Sequence, residues 1–412
     1  MRRCGGNFGW RSKLGLLDPP EMVPYTKIRQ TGNEPPPWNT DRDRSVSQRI
    51  ALESVVLLKN QDHFLPLDKT KIKSIAVIGP LADVVHWDWY GGTPPYTVTP
   101  LEGIRNEVGP GVTVNYAPDD TPDGEAAAEK AAKESDVAVV VVGNNPTCGP
   151  DEGHEWVNTP DGGNTLPCTV PSDGREGRDR ETMTLYQEQI VKQVYDVQPK
   201  TVVMLIASFP YTIDWTEDHV PAILTMAQSS QDEGTALGKV LFGEYNPGGH
   251  LVRTWPKSMD QLPLYMDYNI RDGYTYMYFK GEPLYPFGFG LSYTTFRFAN
   301  LRTSTPTLAA DGSLNVSVDV TNTGDRVGDE VVQLYVNWPK PQVVRPREEL
   351  EGFERVTLNP GETKTVTLPL KASQVAFWDV GTHAFRVLQE PVSVMVGDSS
   401  ANLPLSQTVQ VE

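Results

Sequence analysis

Apolar positions follow two different patterns along this chain. Between about residues 46 and 295 they gather into short continuous runs separated by amphipathic stretches, and beyond about residue 296 they alternate with polar positions. In the first region, residues 72–79, 112–117, 136–142, 200–206 and 222–226 read as strands. Residues 125–135, 181–197 and 231–242 carry helical patterning, and Ile50, Val55, Leu57 and Leu58 fit one face of a further helix. The uninterrupted apolar run 137–142 suits a strand covered on both faces better than an edge strand with one wet side. Strands alternating with helices predict an α/β/α sandwich around a mostly parallel sheet.

In the second region, residues 314–320, 330–336 and 363–368 alternate strictly. Turn signals separate them at Asn322-Thr323-Gly324-Asp325 and Asn359-Pro360-Gly361-Glu362. With no helical pattern over this stretch, the prediction is an antiparallel β-sandwich. The fold class is therefore α/β plus all-β. Residues 46–295 form the α/β sandwich, residues 296–412 the β-sandwich, and residues 1–45 a polar, proline-rich connector containing Glu34-Pro35-Pro36-Pro37.

Composition narrows the partners. The 412 residues carry 53 acidic against 36 basic side chains, a formal net charge of −17. That balance disfavours nucleic acid and anionic membrane surfaces, both of which need clustered Lys and Arg. No apolar run reaches the roughly 20 residues that span a bilayer, and Met1-Arg2-Arg3 is not followed by a signal-peptide core. Either the protein is cytoplasmic or its natural N-terminus lies further upstream. Of three cysteines, Cys148 and Cys168 bracket one Gly-rich loop; a local disulfide, free thiols and a metal site with His154 all remain open readings, the last lacking a further ligand at metal-binding spacing.

The densest charged segment is Ser172-Asp173-Gly174-Arg175-Glu176-Gly177-Arg178-Asp179-Arg180-Glu181. It follows the strand 136–142 through a long loop, and loops beyond the carboxyl ends of strands are where open α/β sheets bind ligands. The plainer reading is a solvated loop of Arg–carboxylate pairs with Asp179 capping the next helix. The loop Trp87-Asp88-Trp89-Tyr90-Gly91-Gly92-Thr93-Pro94-Pro95-Tyr96 lies after the strand 72–79. Its aromatics suit either a sugar-binding wall or a packing plug between domains. His154, Glu155 and Trp156 allow the same two readings, whereas His63 and His86 stand without partners and read as structural. Serine-nucleophile (GxSxG), phosphate-loop (GxxxxGK[ST]) and HExxH zinc signatures are all missing, and no cofactor is expected.

Several blocks in register resemble the family 3 glycoside hydrolases, from about residue 45 to 412. They are Glu53-Ser54-Val55-Val56-Leu57-Leu58-Lys59-Asn60 with Leu65-Pro66-Leu67, Ala76-Val77-Ile78-Gly79-Pro80, Leu241-Phe242-Gly243-Glu244-Tyr245-Asn246-Pro247-Gly248-Gly249, and Pro283-Leu284-Tyr285-Pro286-Phe287-Gly288-Phe289-Gly290-Leu291-Ser292-Tyr293-Thr294. The C-terminal region resembles that family's fibronectin III-like domain through Val331–Val336 and Glu349-Leu350-Glu351-Gly352-Phe353. The resemblance implies retaining hydrolysis of terminal β-glucosides or β-xylosides, with Glu176 as acid/base; Arg175, Asp179, Arg180, Trp87, Trp89 and Tyr90 of the two loops are the candidate substrate-binding residues. It also implies that residues 1–45 are the exit of a (β/α)8 barrel that would carry the nucleophilic Asp, because no Lys-His pair or matching Ser-Asp context occurs here. A separate barrel chain or domain is then the expected partner, and an extracellular or periplasmic location is expected. The competing expectation is a carbohydrate-binding or structural fragment without catalysis. Two departures from the pattern, Tyr274 where an Arg is common and Ser229-Ser230 in place of a Pro-Gly, bear on local loops only.

Overall fold

The computed structural model describes residues 11–23, 26, 38–86, 94–118, 124–144, 182–228 and 230–412. The chain divides into two compact units, Met1–Val46 and Ser47–Glu412. In the first, a short turn Pro20–Met22 is followed by the buried Val23, which packs on Gly15. Thr40 and Asp43 then satisfy each other's backbone N–H groups to open the helix Asp41–Ser54.

The second unit begins with a six-stranded sheet built from β1 (Val56–Asn60), β2 (Ser74–Ile78), β3 (Thr113–Ala117), β4 (Val137–Gly143), β5 (Thr201–Ile206) and β6 (Ala222–Met226). Their spatial order is β1-β6-β5-β4-β2-β3; all neighbours run parallel except β1, which pairs antiparallel with β6. Every residue of β4, β5 and β6 is buried. Along β4 the side chains sort by parity. Val137, Val139 and Val141 join one apolar cluster with residues of the helices Pro100–Val108 and Glu233–Leu241. Ala138, Val140 and Val142 join a second with residues of the helices Gly124–Lys133 and Glu188–Val197. The period of two in a strand thus supplies both cores, and the three-layer α/β/α expectation holds.

Two local expectations are corrected. Val55, Leu57 and Leu58 do not continue a helix: it ends at Ser54, and Val56–Asn60 is β1, held to β6 through pairs such as Leu57 opposite Leu224. Successive β-branched and apolar residues without polar interruption favour a buried strand over an amphipathic helix. The helix expected over 181–197 starts at Glu188, with Gln187 at its N-cap, so Asp179 is not its cap. Residues just before it are engaged elsewhere: Met183 O accepts from Thr212 N at 2.8 Å, and Thr184 bridges Thr212.

The C-terminal part is a sandwich of two sheets. One comprises β7 (Phe296–Thr303), β9 (Ser313–Asn322) and β12 (Thr363–Lys371). The other orders β11 (Glu349–Leu358), β10 (Gly328–Asn337), β15 (Pro391–Gly397), β16 (Leu405–Val411) and β8 (Thr307–Leu308). Alternating residues such as Leu314, Val316, Val318 and Val320 meet Val332, Leu334 and Val336 in one core. The pairing is antiparallel apart from β8 with β16. A two-stranded ribbon, β13 (Phe377–Asp379) with β14 (Ala384–Arg386), lies outside both sheets. Arg355 joins the sandwich to the α/β region. Its guanidinium contacts Asp329 Oδ2 at 2.7 Å, Tyr245 Oη at 3.0 Å and the carbonyls of Glu53 and Gly248.

Candidate functional site

Sheet topology alone singles out one place on the α/β region. From β2 the chain moves outward to β3, whereas from β3 it crosses back over β2 to β4. The chain therefore leaves β2 and β4 in opposite directions, which makes their carboxyl ends the topological switch point, the place where open α/β sheets bind ligands. The segment after β2 is the aromatic loop, and the segment after β4 is the charged loop. The two stretches distinguished in the sequence by unrelated criteria leave adjacent strands at the same sheet edge.

Glycines end both strands. Gly79 has φ 116°, and a Cβ there would lie 2.4 Å from Val141 O; Gly143 has φ 150°, and its Cβ would lie 1.8 Å from Ile206 O. Side chains are excluded at both positions, which lets the strand ends approach one another closely. Asn144, fully buried, comes directly after Gly143. Its Oδ1 accepts from Ser208 N at 3.1 Å and from Gln228 Nε2 at 2.7 Å, and its backbone carbonyl also accepts from Gln228 Nε2. Ser208 Oγ donates to Gln228 Oε1, and Arg253 Nη1 donates to Ser208 O at 2.7 Å. The ends of β4, β5 and β6 are thereby fastened together. Asn144 Nδ2 is buried with no hydrogen-bond partner among the described residues, at the start of the long stretch that leads to the charged segment.

A second polar group flanks the stem of the aromatic loop. Tyr96 Oη donates to both carboxylate oxygens of the buried Asp232, at 3.1 and 3.0 Å, and Ser47 Oγ donates to Asp232 Oδ2 at 2.8 Å. Val98 N donates to Gln231 O and Gly234 N to Val98 O, so the returning arm of the loop is bonded to the start of the helix Glu233–Leu241. Thr99 then caps the helix Pro100–Val108 in a reciprocal arrangement with Glu102 and donates to Asp83 Oδ1 at 2.9 Å. Next to Asp232, Glu233 is 1% exposed and its Oε2 has no partner among the described residues. Burial pushes its carboxyl up to about 8, so it is protonated at neutral pH. Burial also pushes the His86 imidazole down to about 4, which keeps it neutral.

Glu176, Arg175, Asp179 and Arg180, the aromatics Trp87, Trp89 and Tyr90, the cysteines Cys148 and Cys168, and His154, Glu155 and Trp156 all lie outside the described residues. The described residues instead show two polar clusters that sequence reading did not select, one of Asn144, Ser208, Gln228 and Arg253 and one of Asp232 with Ser47 and Tyr96. One signal was present: the polar run Gln228-Ser229-Ser230-Gln231-Asp232-Glu233 directly follows the buried strand β6. Polar residues immediately beyond a fully buried parallel strand line the ligand end of such a sheet.

Comparison with known proteins assigns the class. The profile of the glycosyl hydrolase family 3 C-terminal domain matches residues 55–293, and that of the fibronectin type III-like domain matches residues 330–400. The chain belongs to glycosyl hydrolase family 3. A β-xylosidase from Formosa agariphila is 36% identical over 378 residues, covering 87% of this chain and 48% of that protein. A periplasmic β-glucosidase from Salmonella typhimurium is 34% identical over 375 residues, with 86% and 49% covered. The solved structure of a β-glucosidase from Erythrobacter marinus superposes with a TM-score of 0.77 at 27% identity, covering 97% of this chain and 53% of that one. The chain thus spans about half the length of the curated relatives it matches. Among the described residues, no helix is long and apolar enough to cross a membrane.

Proposed function

We propose that this chain contributes the acid/base half of a retaining β-glycosidase acting on terminal β-D-glucosides or β-D-xylosides. The observation that supports this reading is the sheet order, by which the aromatic loop and the stretch that leads to the charged segment follow the carboxyl ends of the adjacent strands β2 and β4. In this reading Glu176 donates a proton to the glycosidic oxygen while an Asp carboxylate from a (β/α)8 barrel attacks the anomeric carbon. Glu176 then takes a proton from the water that releases the sugar. Two carboxyl groups about 5–5.5 Å apart are required for retention. Arg175, Asp179 and Arg180 bind the substrate with Trp87, Trp89 and Tyr90, which supply apolar faces to the sugar.

The domain division that accompanies this proposal is residues 46–295 for the α/β sandwich carrying the acid/base loop and 296–412 for the fibronectin III-like part. In this division residues 1–45 comprise a barrel exit, at 15–20, and a linker. The likeness to the periplasmic β-glucosidase of Salmonella typhimurium supports a location outside the cytoplasm, where a Cys148–Cys168 disulfide is chemically stable.

The test is turnover of aryl β-glucosides and β-xylosides by the chain alone and with a family 3 barrel supplied. Negligible turnover alone, gained with the barrel and abolished by Glu176→Gln, is the expected result. Turnover by the chain alone that survives Glu176→Gln would overturn the assignment.

A further inference from the structure

The ribbon of β13 and β14 presents two aromatic rings to solvent on a support that is anchored from behind. Trp378 and Phe385 are cross-strand partners, so they share one face; Phe377 opposite Arg386, and Asp379 opposite Ala384, belong to the other. The rear face is secured. Arg345 sits over the rings of Phe377 at 5.3 Å and Trp338 at 4.6 Å, and its Nη2 contacts Glu390 Oε1 at 2.7 Å. Asp379 binds Arg386 Nη1 at 3.0 Å and accepts from Gly381 N at 2.8 Å, which sets the turn. On the front face Trp378 is 50% exposed and Phe385 73%, with ring centroids 5.2 Å apart at 73°. The exposed apolar residues Leu264 and Tyr268, by contrast, lie in a stretch without regular strands or helices.

Phe385 also lines an open groove of about 560 Å³, together with Asp311, Ser313, Lys371, Ser373 and Val387. The side chains of Asp311, Ser313 and Ser373 make no hydrogen bonds within the protein among the described residues. Rigid aromatic faces running into a groove of uncommitted hydroxyls and a carboxylate match one ligand chemistry well. A pyranose ring has an apolar C–H face bordered by equatorial hydroxyls, and it covers an aromatic ring while donating to such acceptors. The net charge of −17, with Lys371 as the cation in the groove, selects a neutral polymer over a polyanion.

We propose that this ribbon and groove form a second, non-catalytic site that binds a neutral β-linked glycan chain. The choice of a β-linked chain rests on the hydrolytic reading above; binding itself requires neither Glu176 nor a barrel. The test is affinity electrophoresis of the full chain carrying Glu176→Gln, in gels containing soluble arabinoxylan or mixed-linkage β-glucan, with dextran as control. Retardation by a β-glycan and not by dextran is expected. Trp378→Ala and Phe385→Ala should each weaken it at least about tenfold, with little change in melting temperature because both positions are exposed. Tyr268→Ala should leave it intact. Migration unaffected by either β-glycan would overturn the proposal, as would retardation that Trp378→Ala and Phe385→Ala leave unchanged. Dissociation of a dimer by these substitutions with unaltered retardation would assign the face to self-association and overturn it equally. Hydrolytic turnover is measured separately, so failure of one reading leaves the other standing.

Discussion

Gln228 donates through one nitrogen to both the side-chain and the backbone oxygen of Asn144, reaching from the end of β6 to the end of β4 across the intervening β5. This single carboxamide fixes the spacing of three strand ends, one of which, that of β4, leads on to the charged segment. Gln228→Ala leaves Asn144 Oδ1 with one donor and its carbonyl without this one. A stability loss of about 1–3 kcal/mol in chemical denaturation is expected. Gln228→Glu should recover little, since it removes the donor while keeping the shape.

Glu233 makes stability depend on pH. Its folded-state carboxyl titrates near 8 against an ordinary 4.5, so between these values the native state retains a proton that the unfolded chain has released. Its contribution is therefore most favourable below about pH 4.5 and declines as pH rises toward 8. Glu233→Gln should flatten that decline and stabilise the chain at pH 8 by an amount of the order of a few kcal/mol. Melting curves of both proteins from pH 5 to 8 give the comparison.

Gly143 admits no side chain. With Ile206 O only 1.8 Å from the position of an added Cβ, Gly143→Ala must separate the ends of β4 and β5. A loss of roughly 4 kcal/mol or more is expected, within the range of severe core lesions, and soluble yield measures it directly.

Arg345 and Glu390 form an ion pair whose side chains are 4% and 1% exposed. Arg345→Ala strands a buried carboxylate and releases the rear of the aromatic ribbon. The expected cost is about 3–5 kcal/mol, read by denaturant unfolding. Arg345→Lys should restore only part of it, because an ammonium lacks the planar fork that spans Glu390 and the two rings.

Much of this architecture is legible in the sequence where one local pattern suffices. The run Val137–Val142 is apolar at every position, and only a strand covered on both faces explains it. The alternation in Leu314–Val320 is equally direct. Val55–Leu58 failed as a helix face because four apolar residues satisfy either period, and pairing with residues 222–226 decides between them. The start of the helix at Glu188 was hidden for a similar reason: Thr184 is claimed by Thr212, which no local window contains. The candidate site divides along the same line. Its two loops announce themselves by composition, whereas Asn144 and Gln228 matter only through the adjacency that the sheet order creates.

The same sheet order has a consequence for biosynthesis. β1 emerges before the other strands of its sheet, yet its partner β6 is about 165 residues away, and the bridge from Leu57 to Leu291 spans still more chain. Local pairs such as β2 with β3 are available early, but the edge that β1 closes stays open until most of the α/β region has been translated. Contacts of such long sequence separation form late and slowly. A nascent chain whose β1 still lacks β6 is therefore the species most exposed to aggregation, and the one on which chaperones would act.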